Sequence, residues 1–150
     1  MITIEIDPSL DFPLNPDLLE RAAQATLDLQ SALDADLTVV VTVDERIRGL
    51  NREYREVDAA TDVLAFPAGE PDPESGRLYL GDVVISLPRA ESQAAAGGHE
   101  LGAELQLLVV HGVLHLLGHD HSGVGEKELM WSAQAAVLDY LGLPPSIVHE

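Results

Sequence analysis

One apolar segment constrains the fold of this chain more than any other part of its sequence. It covers residues 105–117, and its only ionisable side chains are those of His111 and His115. The segment is too short to span a bilayer as a helix, which takes about 20 apolar residues. We predict a long apolar helix over residues 100–117 that ends at Gly118, because glycine commonly follows the last residue of a helix.

The two histidines favour a metal site over an ordinary core position. Because His111 and His115 are four residues apart, both imidazoles lie on one face of the predicted helix. Burying two imidazoles without partners is costly, and a shared metal ion would partner both. Gly118 lets the chain fold back in a left-handed turn, so that His121 approaches the ion from the other side. Three imidazole ligands and one open position are typical of a catalytic zinc site rather than a structural one.

Two polar residues close to these histidines need separate assignments. His119 would share a face with His111 and His115 if the helix continued, but Gly118 argues that it does not. We therefore place His119 at the rim of the site, beside the ligands. Asp120 could orient a ligand by accepting a hydrogen bond from an imidazole N–H, although aspartate is also a common turn former.

The same segment argues against peptide hydrolysis. Its spacing from His111 through Gly118 to His121 matches that of the metzincin proteases, which carry a glutamate directly after the first histidine as general base. This chain has Gly112 there, so no carboxylate at that position can take a proton from a metal-bound water. The spacing of the zinc site is present, and the base of the protease is absent.

The remaining pattern predicts an α+β fold in one domain over residues 1–150. Four segments have the pattern of strands: residues 2–6, 38–43, 63–66 and 79–86. Five segments have the pattern of helices: residues 17–33, a stretch capped by Asp44, and residues 88–96, 100–117 and 126–141. Residues 68–76 are rich in Pro, Gly and Glu and predict a loop. We expect one mixed sheet of about four strands packed with about five helices, with the metal helix arranged as in zincins.

The helix capped by Asp44 separates apolar from basic positions. The apolar positions, which should face the core, are Ile47, Leu50 and Tyr54. A different face carries Arg48, Arg52 and Arg55. Half of the eight basic residues of the chain fall within residues 46–55, with acidic residues among them. Taken alone, this pattern indicates a solvated helix face.

Composition excludes several classes of protein. Twenty-six acidic and eight basic side chains give a formal net charge of −18, whereas a general nucleic-acid binder normally carries a basic face. The absence of cysteine excludes a disulfide-linked partner, a thiolate nucleophile and a thiolate zinc finger. The first residues lack the basic start and apolar centre of a signal peptide. We therefore expect a cytoplasmic protein with no membrane partner.

Three segments together resemble one known family. The sequence HGVLHLLGHDH at residues 111–121 resembles the signature of the YbeY family, bacterial endoribonucleases that are specific for single strands and act in ribosomal RNA maturation. LNREYR at residues 50–55, with TDVLAFP at 61–67, resembles the arginine segment of that family and the strand after it. LGDVVIS at residues 80–86 resembles its core strand. The order of the elements agrees over most of the chain.

The resemblance implies site residues, a cofactor and partners. The zinc ligands of the family fall on His111, His115 and His121, with one ion per chain, and its functionally important arginine falls on Arg55. The implied activity is a single-strand-specific endoribonuclease in ribosome maturation and quality control, including 3′-end processing of 16S ribosomal RNA. The implied partners are a ribosomal RNA precursor and the small ribosomal subunit or its assembly factors. The sequence departs from the family pattern, without losing a ligand, where proline, serine and tyrosine are usual: at Ala60, Ala65 and His119.

Under this interpretation the metal and the arginines act on phosphate. The ion would lower the pKa of a bound water to about 7 and polarise a phosphoryl oxygen. Arg55 would stabilise the charge that the phosphate gains, while Arg48 and Arg52 would follow the RNA backbone. Two alternatives stay open: a zinc hydrolase with another substrate, such as a peptidase with a remote base, and a non-catalytic ribosome-assembly factor with a structural metal.

Overall fold

The sheet of this protein is mixed, and its strands lie in a different order in space than in the sequence. The computed structural model describes residues 1–32, 34–71, 73–120 and 122–148. The strands in these ranges are β1 (Ile2–Ile6), β2 (Ala35–Thr42), β3 (Val63–Pro71) and β4 (Leu78–Ser86). Their order is β1-β2-β4-β3, with the first three parallel and β3 antiparallel to β4 at the edge.

Five α-helices of the described ranges pack with this sheet. They are α1 (Asp17–Leu29), α2 (Asp44–Arg55), α3 (Leu87–Gly97), α4 (Leu101–Leu116) and α5 (Val124–Tyr140), followed by a short 3-10 helix at Pro145–Ile147. The predicted α+β class, with one mixed four-stranded sheet and five helices, is confirmed. The stripe predicted for α1 extended to Leu33, which lies outside the described residues. Within the described part of the chain, no helix has the length and apolar character that crossing a bilayer requires.

Helices cover both faces of the sheet because side chains alternate along each strand. Val39, Val83 and Ile85 are fully buried on one face, in the main core that α1 and α4 complete. Val84 points to the opposite face and packs with Ile47 of α2. All of residues 105–110 in α4 are buried, as the apolar segment predicts, and Glu104 directly before them is buried as well.

Strand β3 extends further than its sequence predicts. The predicted strand covered residues 63–66 and the predicted loop began at residue 68, but β3 continues to Pro71. Pro67 is tolerated because β3 is an edge strand, where a missing N–H can point away from the sheet. The prediction of a loop over residues 68–71 is therefore wrong.

Two predictions for α2 are also wrong. Tyr54 does not face the core: it is 63% exposed, and its ring meets that of Phe66 on the edge strand. The spacing of Tyr54 is that of a core position, but the last turn of α2 lies over the edge of the sheet. Asp44 does not cap the helix, which begins after Val43 without a side-chain cap. The carboxylate of Asp44 instead accepts a hydrogen bond from the hydroxyl of Ser86.

Helix α4 approaches the sheet closely at Gly112. A Cβ atom added there would lie 2.5 Å from Cγ1 of Val83 on β4, closer than two carbon atoms can pack. The missing side chain therefore sets the distance between α4 and β4. It also sets the height of His111 and His115 above the sheet.

We expect Gly112→Ala to destabilise the protein, although alanine is the better helix former by about 1 kcal/mol. The added methyl group forces Val83 or α4 to move, and overpacking of this kind costs about 1–3 kcal/mol. Gly49→Ala in α2 is the matched control, because nothing lies within 4 Å of the added Cβ. Urea unfolding should show a lower free energy of unfolding for Gly112→Ala and an equal or higher one for Gly49→Ala. A stabilised Gly112→Ala would contradict the close packing.

Candidate active site

A cavity of about 650 Å³ opens at the edge of the sheet, between the last turn of α2, strand β3 and helix α4. Three residues singled out in the sequence line it: Arg55, His111 and His115. The structure therefore brings together one cation and two imidazoles from segments far apart in the chain.

His111 and His115 are placed as two ligands of one ion would be. Their ring centres are 4.8 Å apart, and the ring planes are inclined by 70°. Two imidazoles bound tetrahedrally to one zinc ion, with bonds of about 2.0–2.1 Å, have ring centres roughly 5 Å apart. The one-turn spacing on α4 thus gives a separation that fits a shared metal ion.

The third predicted ligand, His121, lies outside the described residues. Helix α4 ends as predicted: Gly118 has a φ of 97°, and the N–H of His119 bonds back to the carbonyl of Leu114. Among the described residues alone, no three His, Asp or Glu side chains are grouped so as to hold a metal. The described site supplies two imidazoles, and the third ligand stays a prediction.

A buried side chain of α5 orients His111. Oε1 of Gln134 lies 3.0 Å from Nδ1 of His111, and Gln134 is 2% exposed. Because a carbonyl oxygen can only accept, Nδ1 carries the hydrogen and Nε2 keeps the lone pair that a metal requires. The ring of Trp131 packs beside His111, with centres 5.9 Å apart. The sequence reasoning missed Gln134, because its contact depends on how α5 packs against α4.

His119 and Asp120 form hydrogen bonds with residues that are not among the described residues lining the cavity. Nε2 of His119 is 2.8 Å from Oε1 of Gln30, just beyond α1. Asp120 is exposed and accepts a hydrogen bond of 2.7 Å from the hydroxyl of Ser122. Neither residue is among the described residues that line the cavity. Their positions beside the ligands remain predictions.

Arg55 reaches the cavity from the last residue of α2. Its Nη2 donates a hydrogen bond of 2.9 Å to the carbonyl of Ala65, and its Cζ lies 5.9 Å from the ring centre of Phe66. The hydrogen bond uses one of the five N–H donors of a guanidinium. A planar, permanently charged group held in this way is suited to binding an oxyanion in the cavity.

The other three arginines of this helix, which include Arg48 and Arg52, are not among the described residues that line the cavity. Arg48 pairs with Asp58 through two hydrogen bonds, Nε to Oδ1 at 2.7 Å and Nη2 to Oδ2 at 3.2 Å. These bonds, with a smaller contribution from the charge of Arg52, hold the pKa of Asp58 below its usual value. Arg48 is thus already occupied by a carboxylate, and Arg52 lies exposed beside the pair.

Asp62 is the single acidic residue among the described residues that line the cavity. Its carboxylate accepts hydrogen bonds from the N–H of Val63 at 2.8 Å and from Nε2 of Gln93 at 3.3 Å. The carboxylate therefore has a fixed position at the start of β3, in the lining of the cavity. The sequence reasoning did not single out Asp62, and its position directly before a predicted strand was the only signal for it.

We expect Gln134→Leu to destabilise the metal-free protein by about 1–3 kcal/mol, because the N–H of His111 loses its acceptor. Gln24→Leu is the control, since the Gln24 amide bonds to Asp28 on the exposed surface of α1 and should change stability by less than about 0.5 kcal/mol. Urea unfolding with a chelator present measures both. NMR shifts of the His111 ring nitrogens should report the Nδ1-protonated form in the wild type and lose it only in Gln134→Leu. Equal stabilities of the two variants would mean that this contact is not made.

Comparison with known sequences points to one family. A family described as Endoribonuclease YbeY matches residues 10–142 of this chain. A protein named Endoribonuclease YbeY from Pelotomaculum thermopropionicum is 49% identical over 130 residues, which cover 84% of this chain and 86% of the relative. A protein of the same name from Chloroflexus aggregans is 40% identical over 152 residues, covering 95% and 97% of the two chains.

The fold agrees with these sequence matches. The solution structure of a Thermotoga maritima protein matches with a TM-score of 0.61 at 25% identity, over 100% of this chain and 97% of that one. The resemblance carried by the three sequence segments is confirmed, and this chain belongs to the YbeY family.

Proposed function

We propose that this chain is a single metal-dependent endoribonuclease domain that cuts phosphodiester bonds in single-stranded RNA. The observation that carries the proposal is the shared cavity, which two imidazoles of α4 and the guanidinium of Arg55 line together. A metal site beside a permanent cation suits a substrate with negative charge at the reacting group. The relatives named endoribonucleases supply the substrate class.

We assign the metal ligands to His111, His115 and His121, with one zinc ion per chain. The two described imidazoles support this assignment by their separation, and Gln134 supports it by the tautomer that it favours on His111. When bound, zinc supplies a Lewis acid at the phosphate and lowers the pKa of a bound water to about 7. Because the chain has no cysteine, nitrogen and oxygen atoms are the only strong ligands available.

Two further residues act on the phosphate and on the proton. Arg55 binds a non-bridging oxygen of the scissile phosphate, where negative charge increases in the transition state. Its hydrogen bond to Ala65 already holds the guanidinium at the cavity, so little reorganisation is needed when RNA binds. Asp62, held by Val63 and Gln93, accepts the proton that the attacking water loses.

The cellular role follows from the family resemblance. We propose that the protein acts in the cytoplasm on a ribosomal RNA precursor, including the 3′ end of 16S ribosomal RNA, in ribosome maturation and quality control. The proposed partners are the small ribosomal subunit or its assembly factors. Arg52 is available to bind the RNA backbone, whereas Arg48 can bind it only after its hydrogen bonds to Asp58 break.

We expect the purified protein to contain one zinc ion per chain and to cleave a labelled single-stranded RNA. His111→Ala, or removal of the metal by a chelator, should lower kcat at least about a thousandfold, because several kcal/mol of transition-state stabilisation are lost. Elemental analysis and gel-resolved cleavage measure the two quantities. The matched substrate control is a duplex of the same sequence, which should resist cleavage.

The same measurements separate the alternatives. Full RNA cleavage by a zinc-free His111→Ala protein would contradict the proposal. Cleavage of casein but not RNA would indicate a peptidase with a remote base, because Gly112 excludes only a base directly after His111. A protein that unfolds on metal removal and never cleaves RNA would be a non-catalytic assembly factor.

We expect Arg55→Ala to lower kcat about 10²–10³-fold, because one preorganised donor to the phosphate is removed. The fold should be retained, since Arg55 is exposed. Arg55→Lys should recover only part of the activity, because an ammonium lacks the planar fork of the guanidinium. Arg21→Ala, at an exposed position of α1, is the control and should behave as wild type. Steady-state kinetics and thermal unfolding test this, and equal kcat values for Arg55→Ala and Arg21→Ala would exclude the proposed role.

A further inference from the structure

An aromatic pair with one exposed ring lies next to Arg55, which lines the cavity. Tyr54 is 63% exposed, and its ring meets that of Phe66 edge to face, with centres 5.6 Å apart. Phe66 is partly buried against the apolar cluster between α2 and the sheet. The contact with Phe66 holds the tyrosine ring in place while most of its surface stays open to solvent.

The aromatic pair is continuous with the proposed active site. Arg55 lines the cavity and also lies over the ring of Phe66. Ala65 and Pro67 line the cavity from β3, whereas Phe66 between them points to the opposite face of the strand, toward α2. Arg55 lines the cavity and contacts Phe66, so an RNA strand whose phosphate it binds lies within reach of the neighbouring Tyr54.

The charge of the protein makes such a contact useful for binding RNA. The formal net charge of −18 disfavours a polyanion, and Arg48 near the cavity is neutralised by Asp58. Stacking of a base on an aromatic ring does not depend on phosphate charge and tolerates every base, because each base has a π-face. A stacking contact can therefore supply affinity that a basic surface supplies in other nucleic-acid-binding proteins.

We propose that Tyr54 and Phe66 form a stacking platform for an unpaired base of the RNA substrate, next to the phosphate that Arg55 binds. This inference rests on the proposed function and names the contact that favours single strands. A base within a duplex is already paired and stacked on its neighbours, so it cannot reach the Tyr54 ring without being unstacked.

Binding of a short single-stranded RNA to the zinc-loaded protein tests the platform directly. Fluorescence anisotropy on ice, with a gel check for cleavage, gives Kd. Tyr54→Leu should weaken binding about tenfold, and Tyr54→Phe, which keeps the ring, should stay within about twofold of wild type. Tyr140→Leu is the matched control, because Tyr140 is equally exposed but lies on α5 beside a different cavity.

The salt dependence distinguishes stacking from charge. Tyr54→Leu should leave the slope of log Kd against log salt concentration unchanged, because the lost ring releases no counterions. A changed slope would show that the substitution acts through phosphate contacts, and it would overturn the platform.

Removal of single bases from the RNA locates the stacked base. At one position an abasic nucleotide should weaken binding to the wild type about tenfold and leave binding to Tyr54→Leu unchanged. The platform is wrong if Tyr54→Leu binds like Tyr140→Leu, or if no abasic position distinguishes wild type from Tyr54→Leu. If the wild type neither binds nor cleaves single-stranded RNA, the proposed function fails and the platform fails with it.

Discussion

The close approach of α4 to the sheet is the constraint on which the site depends. At Gly112 no side chain separates the helix from Val83, so α4 lies deep enough for residues 104–110 to be buried while His111 and His115 remain at the cavity. Because a Cβ at residue 112 would collide with Val83, the position where a metzincin carries its glutamate base has no room for a side chain here. Gln134 then supplies the hydrogen-bond acceptor that the partly buried His111 ring requires. The packing of α4, the position of its two histidines and the absence of a carboxylate directly after His111 therefore all depend on the same glycine.

The partners of the described arginines near the cavity decide what each can do. Arg48 is held by Asp58, whereas Arg55 is held by a neutral carbonyl and an aromatic ring and keeps its charge available. Among the described residues that line the cavity, Arg55 is the one arginine, and it lies there with two imidazoles. Under the proposed function, this arrangement would favour a substrate that brings one phosphate into the cavity over any polyanion that approaches the surface.

Local spacing predicted the parts of the site that lie on one element. His111 and His115 share a helix, so their common face follows from the helical repeat, and the left-handed turn follows from Gly118. Arg55 came from the family resemblance, since the charge pattern alone indicated a solvated face. Gln134 and Asp62 reach the site through the packing of other elements, which no spacing in the sequence encodes. Tyr54 has the spacing of a core residue, but that spacing does not show where α2 crosses the edge of the sheet.

Strand β3 forms a wall of the cavity and is also an edge strand of the sheet. An edge strand carries unpaired N–H and C=O groups, with which a strand of another chain can pair, and this pairing leads to self-association. Pro67 and Pro71 deprive this strand of two main-chain donors, and Arg55 already occupies the Ala65 carbonyl. Pairing of a second copy along β3 is therefore disfavoured, because fewer main-chain groups of this strand are available to it.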